Sequence, residues 1–202
     1  MITAELTYLI PEIVLFSLAC IILVVDTFGS ADDKSITYGL SQSSLILALG
    51  LLIYLFPNGT EHVLSMNFVS DRLGSILKIF ICGFTSVVFF YSYDYLKEHD
   101  LVKGEYFVLG LFAVLGMMVM ASAYSLLTVY LGLELLSLSL YAMVALHRDS
   151  QSASEAAMKY FVLGALASGM LLYGISMLYG VSGAIDLGSL SAYISQQTDT
   201  GL

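Results

Sequence analysis

The sequence predicts an all-α integral membrane protein with six transmembrane helices. Three observations carry the membrane part. Apolar runs near the ~20 residues that a helix needs to cross a bilayer recur six times. Short hydrophilic breaks separate most of them. None shows the period-2 alternation of a barrel strand, so helix alone satisfies the backbone in hydrocarbon.

Taken in order, the spans are expected at about 8–25, 36–56, 73–93, 106–122, 124–146 and 153–179, within a single membrane domain over 1–202. Pro11 and Glu12 suit the first turn of the first helix, where a missing N–H is harmless and an acid meets the dipole. The breaks DTFGSADDK (26–34), PNGTEH (57–62) and DYLKEHDLVKGE (94–105) end the first three spans. The fourth and fifth meet in a tight, uncharged connection at 121–124. HRDSQSASE (147–155) leads into the sixth span, with Ser152 and Ser154 as its candidate N-caps. The last stretch, 180–202, reads as a loop with a short amphipathic piece, which makes the chain one part of a longer protein.

Composition agrees. Hydrophobic residues make up 58% and charged residues 11%, against about 25% charged in soluble domains. The mean hydropathy is +0.89. A net charge of −9 and only seven Lys and Arg leave no basic patch for nucleic acid. Cys20 and Cys82 sit in apolar runs without CxxC spacing and read as small buried hydrophobes. His62, His99 and His147 do not form a metal-ligand set. The first basic residue, Lys34, follows the first span, so no cleaved signal peptide is expected. Lys34, Lys97, Lys103 and Arg148 fall on one side and only Arg72 on the other. The positive-inside rule then puts the N-terminus outside and the breaks after the first, third and fifth spans in the cytoplasm.

Charges within the spans are the candidate functional residues, since each costs about 2.5–3.5 kcal/mol at the bilayer centre. Glu134, in LGLELLSLSLY, lies about 15–20 Å from either end of its helix, too deep to snorkel. It has two readings: a proton carrier, or a neutral packing residue hydrogen-bonded by Ser137 or Ser139. Lys159 lies about 7–8 Å inside the sixth helix if that helix starts near Ser154. It either exchanges protons with a neighbour or snorkels and pairs with Glu155 at i−4. Lys78, one and a half turns into the third span, is expected to snorkel, with a role at the exit end of a path as the alternative. GALASG (164–169) and GMMVM (116–120) read as packing faces. Tyr91, Tyr93, Tyr106 and Tyr124 near run ends fit interface anchoring. No GxGxxG, P-loop, CxxC or haem-like His pair is present, so no site for NADH, flavin, iron–sulfur clusters or ATP is expected on this chain.

Residues 104–183, with LGLELLSL and EAAMKYFVLGALASG, closely resemble the subunit N family of bacterial NADH–quinone oxidoreductase, respiratory complex I. SDRLGSILKIF…YSYDYL (70–96) and the first two spans resemble it more weakly. The resemblance implies an antiporter-like bundle of about fourteen helices with two inverted repeats of five, each built around a discontinuous helix, of which this chain is about the first two-fifths. It implies proton-channel roles for Glu134 and Lys159. It also implies partners among the other membrane-arm subunits, with NADH, flavin, iron–sulfur clusters and quinone on partner subunits. The family's LELLSLPLY has Pro where this chain has Ser139. The expected function is proton translocation coupled to NADH oxidation and quinone reduction. The alternatives are a subunit of a multisubunit cation/proton antiporter and a truncated, non-conducting assembly element.

Overall fold

The computed structural model describes residues 6–28, 34–57, 59–64, 66–99 and 101–199. Most of the first predicted break, 29–33, and the end of the tail, 200–202, lie outside these residues. Six helices are long and apolar enough to cross a membrane. They are α1 (Ile10–Phe28), α2 (Ser35–Tyr54), α3 (Arg72–Glu98), α4 (Gly104–Ala121), α5 (Leu126–Val144) and α6 (Gln151–Ser182). A hairpin of β1 (Glu61–Val63) and β2 (Phe68–Ser70) precedes α3, and α7 (Leu187–Asp199) follows α6.

Local chemistry sets most boundaries. Asp71 caps α3 by accepting from the Gly74 N–H at 2.8 Å. Ser150 caps α6 by accepting from the Ala153 N–H, in place of the expected Ser152 or Ser154. The reason is that α6 begins at Gln151, which places Ser152 and Ser154 inside its first turn. Gly183 ends α6 at φ 67°, the left-handed conformation that costs glycine least. Three spans end beyond their expected bounds, α1 at Phe28, α3 at Glu98 and α6 at Ser182. The amide–carbonyl ladder needs no apolar side chain once a helix leaves the hydrocarbon.

The helices alternate in direction, so one end of the bundle carries both chain reversals built from extended backbone. There the 122–125 connection is clamped between two neighbours. Val69 N–H donates to Ser122 O at 2.9 Å and Tyr124 N–H to Asn67 O at 3.0 Å. On the other side, Leu126 N–H donates to Ile185 O and Leu187 N–H to Tyr124 O, both at 3.0 Å. The tight fourth-to-fifth connection is thus the middle of a small patch of extended chain. The tail expected as a loop over 180–202 is helical at both ends: α6 runs to Ser182, and α7 starts on an Asp186 cap. The amphipathic piece is the cause, since α7 docks Leu190, 8% exposed, against the bundle.

The centre of the bundle is α4, which packs against α1, α3 and α5 and buries Phe107, Leu111, Val114 and Met118. Around Phe107 the rings of Tyr38, Phe89, Tyr93 and Tyr106 form edge-to-face and tilted contacts. Lipid is as apolar as leucine, so close packing rather than water exclusion holds such helices together. The outward faces carry large apolar side chains such as Phe28, Phe84, Leu163 and Val181. By contrast α6 is almost all surface; among its described residues only Ile175 is buried.

Candidate functional site

Glu134 sits at the middle of α5 because α5 is pinned to α4 just beside it. Gly116 of α4 and Gly132 of α5 bring the two backbones together. A Cβ at Gly116 would lie 2.7 Å from Gly132 O and from the Leu136 N, and one at Gly132 would lie 2.8 Å from Gly116 O. Neither distance tolerates a side chain, so two glycines set the rotation of α5. Glu134 lies two positions past Gly132, about 200° around the helix, and faces α6 instead of α4.

Its partner there is Ser168, whose Oγ donates to Glu134 Oε1. Both side chains are half-buried. The sequence reading missed Ser168, which is the polar member of GALASG, a stretch read as packing alone. Of the expected partners, Ser139 donates back to Leu135 O at 2.7 Å instead. The signal for Ser168 was present: it is the hydroxyl nearest the middle of the sixth span. The same α5–α6 register is seen at Tyr141, which packs against the rings of Tyr160 and Phe161.

Lys159 stands apart from Glu134. Its Nζ bonds Glu155 Oε1 at 2.6 Å, one turn back, and the two side chains are 71% and 63% exposed. Nine residues separate Lys159 from Ser168, about 13.5 Å of helix rise. The structure therefore brings Glu134 together with Ser168 and leaves Lys159 on the outward face, nearer the N-terminal end of α6.

Lys78 corrects an expectation. It does not snorkel to the surface. Its Nζ donates to Glu12 Oε1 of α1, and both side chains are 7% exposed. Glu12, read from sequence as a first-turn acid, is instead the counter-ion. The two lie at the same depth from the same end of the bundle, Glu12 just inside α1 and Lys78 just inside α3. Tyr8 and the hairpin residues Val63, Phe68 and Val69 line a cavity of about 10 Å3 beside Lys78. An opposite charge at matched depth on a neighbouring span was the available signal.

Residues 123–201, which hold α5, α6 and α7, match the family described as the NADH:quinone oxidoreductase/Mrp antiporter transmembrane family. The NADH-quinone oxidoreductase subunit N of Thioalkalivibrio sulfidiphilus is 56% identical over 185 residues, covering 92% of this chain and 38% of that protein. The chain is homologous to subunit N of NADH-quinone oxidoreductase. The subunit N of Thiobacillus denitrificans is 52% identical over 94% of this chain and 39% of its own length. Among solved structures, respiratory complex I from Thermus thermophilus with bound Aureothin contains a chain 26% identical. It superposes with a TM-score of 0.71 over 88% of this chain and 38% of that one. An archaeal membrane-bound sulfane sulfur reductase shares the fold at 20% identity, also with a TM-score of 0.71, over 95% of this chain and 40% of that one. The chain spans about two-fifths of the length of the curated relatives it matches. It is a multi-pass membrane protein.

Proposed function

We propose that the chain serves in the membrane arm of a proton-pumping NADH:quinone oxidoreductase, where Glu134 takes up and releases protons. The observation that carries this reading is a carboxylate at mid-span, held by a hydroxyl of the next helix, in a chain homologous to subunit N. Such a residue is costly in hydrocarbon and belongs by default to an ion or proton pathway. Ser168 both donates to the carboxylate and accepts, so it can pass a proton along its own O–H. Lys159 takes the inner part of the same path. Because it is about 13.5 Å of rise from Ser168, protons travel between them through water or further side chains, not by direct contact.

The partners in this reading are the other membrane-arm subunits, and the redox groups reside on partner subunits. Energy from NADH oxidation and quinone reduction reaches Glu134 by changing its electrostatic surroundings. The membrane is the bacterial inner membrane, with the N-terminus and the hairpin outside. The relatives named subunit N favour this over the antiporter reading.

Deletion of the gene and its restoration, followed in inverted membrane vesicles, tests membership. The expected result is loss of NADH-driven proton uptake on deletion and recovery on restoration. Unchanged NADH-driven uptake together with loss of sodium-dependent growth at alkaline pH would put the chain in an antiporter complex.

A further inference from the structure

The seam between α1, α2 and α3, away from Glu134, carries buried polar side chains in its inner half and at its outer end. At the inner end Asp26 accepts from Thr37 Oγ1 at 2.6 Å and pairs with Lys34 at 3.2 Å. One turn further along α2, Ser41 is fully buried, and Ser44 follows at 2% exposure. Beside them Gln42 Nε2 donates to Ser86 of α3 at 2.5 Å. The outer end is the Glu12–Lys78 pair. Between the halves stand Leu15, Leu45, Ala48 and Phe89, all buried. From Ser86 to Lys78 is eight residues, about 12 Å of rise, with Cys82 midway.

Three acceptors on this seam, Glu12 Oε2, Ser41 Oγ and Gln42 Oε1, are buried without a hydrogen-bond partner among the described residues. Buried polar atoms are rarely left unpaired, and those that are call for a reason, an ordered water among them. A fourth such atom, Ser125 Oγ, lies off the seam in the connection between α4 and α5. We propose that the seam is a second proton route, with Glu12 and Lys78 as the exchange site at its outer end. The proposal rests on the proton-pumping reading above but not on Glu134.

The pair can pass a proton without ending charged. A proton arriving at Glu12 Oε2 makes the neutral acid and takes the pair from zero to one positive charge. Lys78 then loses a proton from Nζ toward the cavity it shares with Tyr8, Ser70 and Ser122. The acid next gives its proton to the neutral amine, and the ion pair re-forms. One proton has entered and one has left. Among the described residues, Tyr8, just before α1, lines the cavity beside Lys78, and Cys82 of α3 lies one turn from Lys78, against Met118 of α4.

The bland alternative is a latch between α1 and α3. Two variants of the full chain in its native complex separate them. Glu12→Gln with Lys78→Met removes both charges together and leaves no unpaired ion. Ser41→Ala removes an unpartnered hydroxyl, which a purely structural role tolerates or welcomes. The route predicts that both variants assemble in normal amounts and that NADH-driven proton uptake falls at least about twofold. Wild-type uptake in both overturns it. If the double variant fails to assemble, Ser41→Ala decides alone: reduced uptake supports the route and wild-type uptake overturns it. Glu134→Gln in the same vesicles reports separately on the main proposal, so the two can fail independently.

Discussion

At the scale of single residues, the chemistry rests on how each intramembrane charge is held. Glu134 has one neighbour of consequence, the Ser168 hydroxyl. A hydrogen bond to a charged group contributes about 1.5–3 kcal/mol, so its loss leaves the Glu134 side chain less firmly held. Ser168→Ala is expected to slow proton uptake several-fold while Ser168→Thr, which keeps the hydroxyl, retains most of it; initial rates in inverted vesicles measure both. Lys159 presents the opposite case. Its exposed pair with Glu155 contributes only about 0.3–0.5 kcal/mol, so Lys159→Gln leaves thermal stability unchanged. If Lys159 serves the path as proposed, uptake nevertheless falls, and wild-type uptake would reduce it to a surface ion pair. The depth of Glu134 was legible from residue spacing along one helix. Matched depth pointed toward Ser168 and toward the bond between Glu12 and Lys78 but could decide neither. Both depend on which faces of separate helices meet, and hydropathy along one chain is silent on rotation.

At the scale of elements, two glycines do the positioning. Adding a methyl at Gly132 drives it to 2.7 Å from Met120 Cγ and 2.8 Å from Gly116 O. Gly132→Ala should cost about 1–3 kcal/mol through overpacking and rotate Glu134 away from Ser168. Gly169→Ala is the control, because nothing lies within 4 Å of its added Cβ. Thermal unfolding of the detergent-solubilised complex should show a lower midpoint for the first and none for the second. The other hinge of the architecture is Asp186 at the start of α7, whose carboxylate accepts from the Ser189 N–H at 2.7 Å. That backbone bond holds its pKa below the ordinary carboxylate value. A depressed folded pKa stabilises above the unfolded value of about 3.9 and loses that contribution as pH falls through the folded value. Proteolysis within 183–199 should therefore accelerate below about pH 4 in the wild type, and Asp186→Asn should remove that pH dependence. The helices themselves were readable from the sequence because each must satisfy its own backbone. The hairpin was not, since three-residue strands leave no periodicity, and its turn places Leu64 and Met66 at positive φ without a glycine to mark it.

At the scale of the whole molecule, six apolar helices and the hydrophilic breaks between them were legible because bilayer thickness dictates their length. The way the bundle closes was not. Extended segments near 68, 123 and 186, far apart in sequence, pair at one end through main-chain bonds that carry no side-chain signature. The proposed orientation puts that end outside. A cysteine at Thr60 should then react with an impermeant thiol reagent in intact cells, and one at Gln151 only in inverted vesicles. The reverse pattern would invert the topology.

The central claim is that Glu134 carries a proton, and Glu134→Gln tests it most directly. The amide keeps the size of the side chain and can still bond Ser168, but it cannot exchange a proton. Installed at the native locus and followed by NADH oxidation and proton uptake in inverted vesicles, it should leave the complex assembled. Uptake should fall roughly tenfold or more, with oxidation falling alongside as the coupled step stalls, and Glu134→Asp should recover part of both. Wild-type rates for the glutamine variant would contradict the account and leave Glu134 a packing residue.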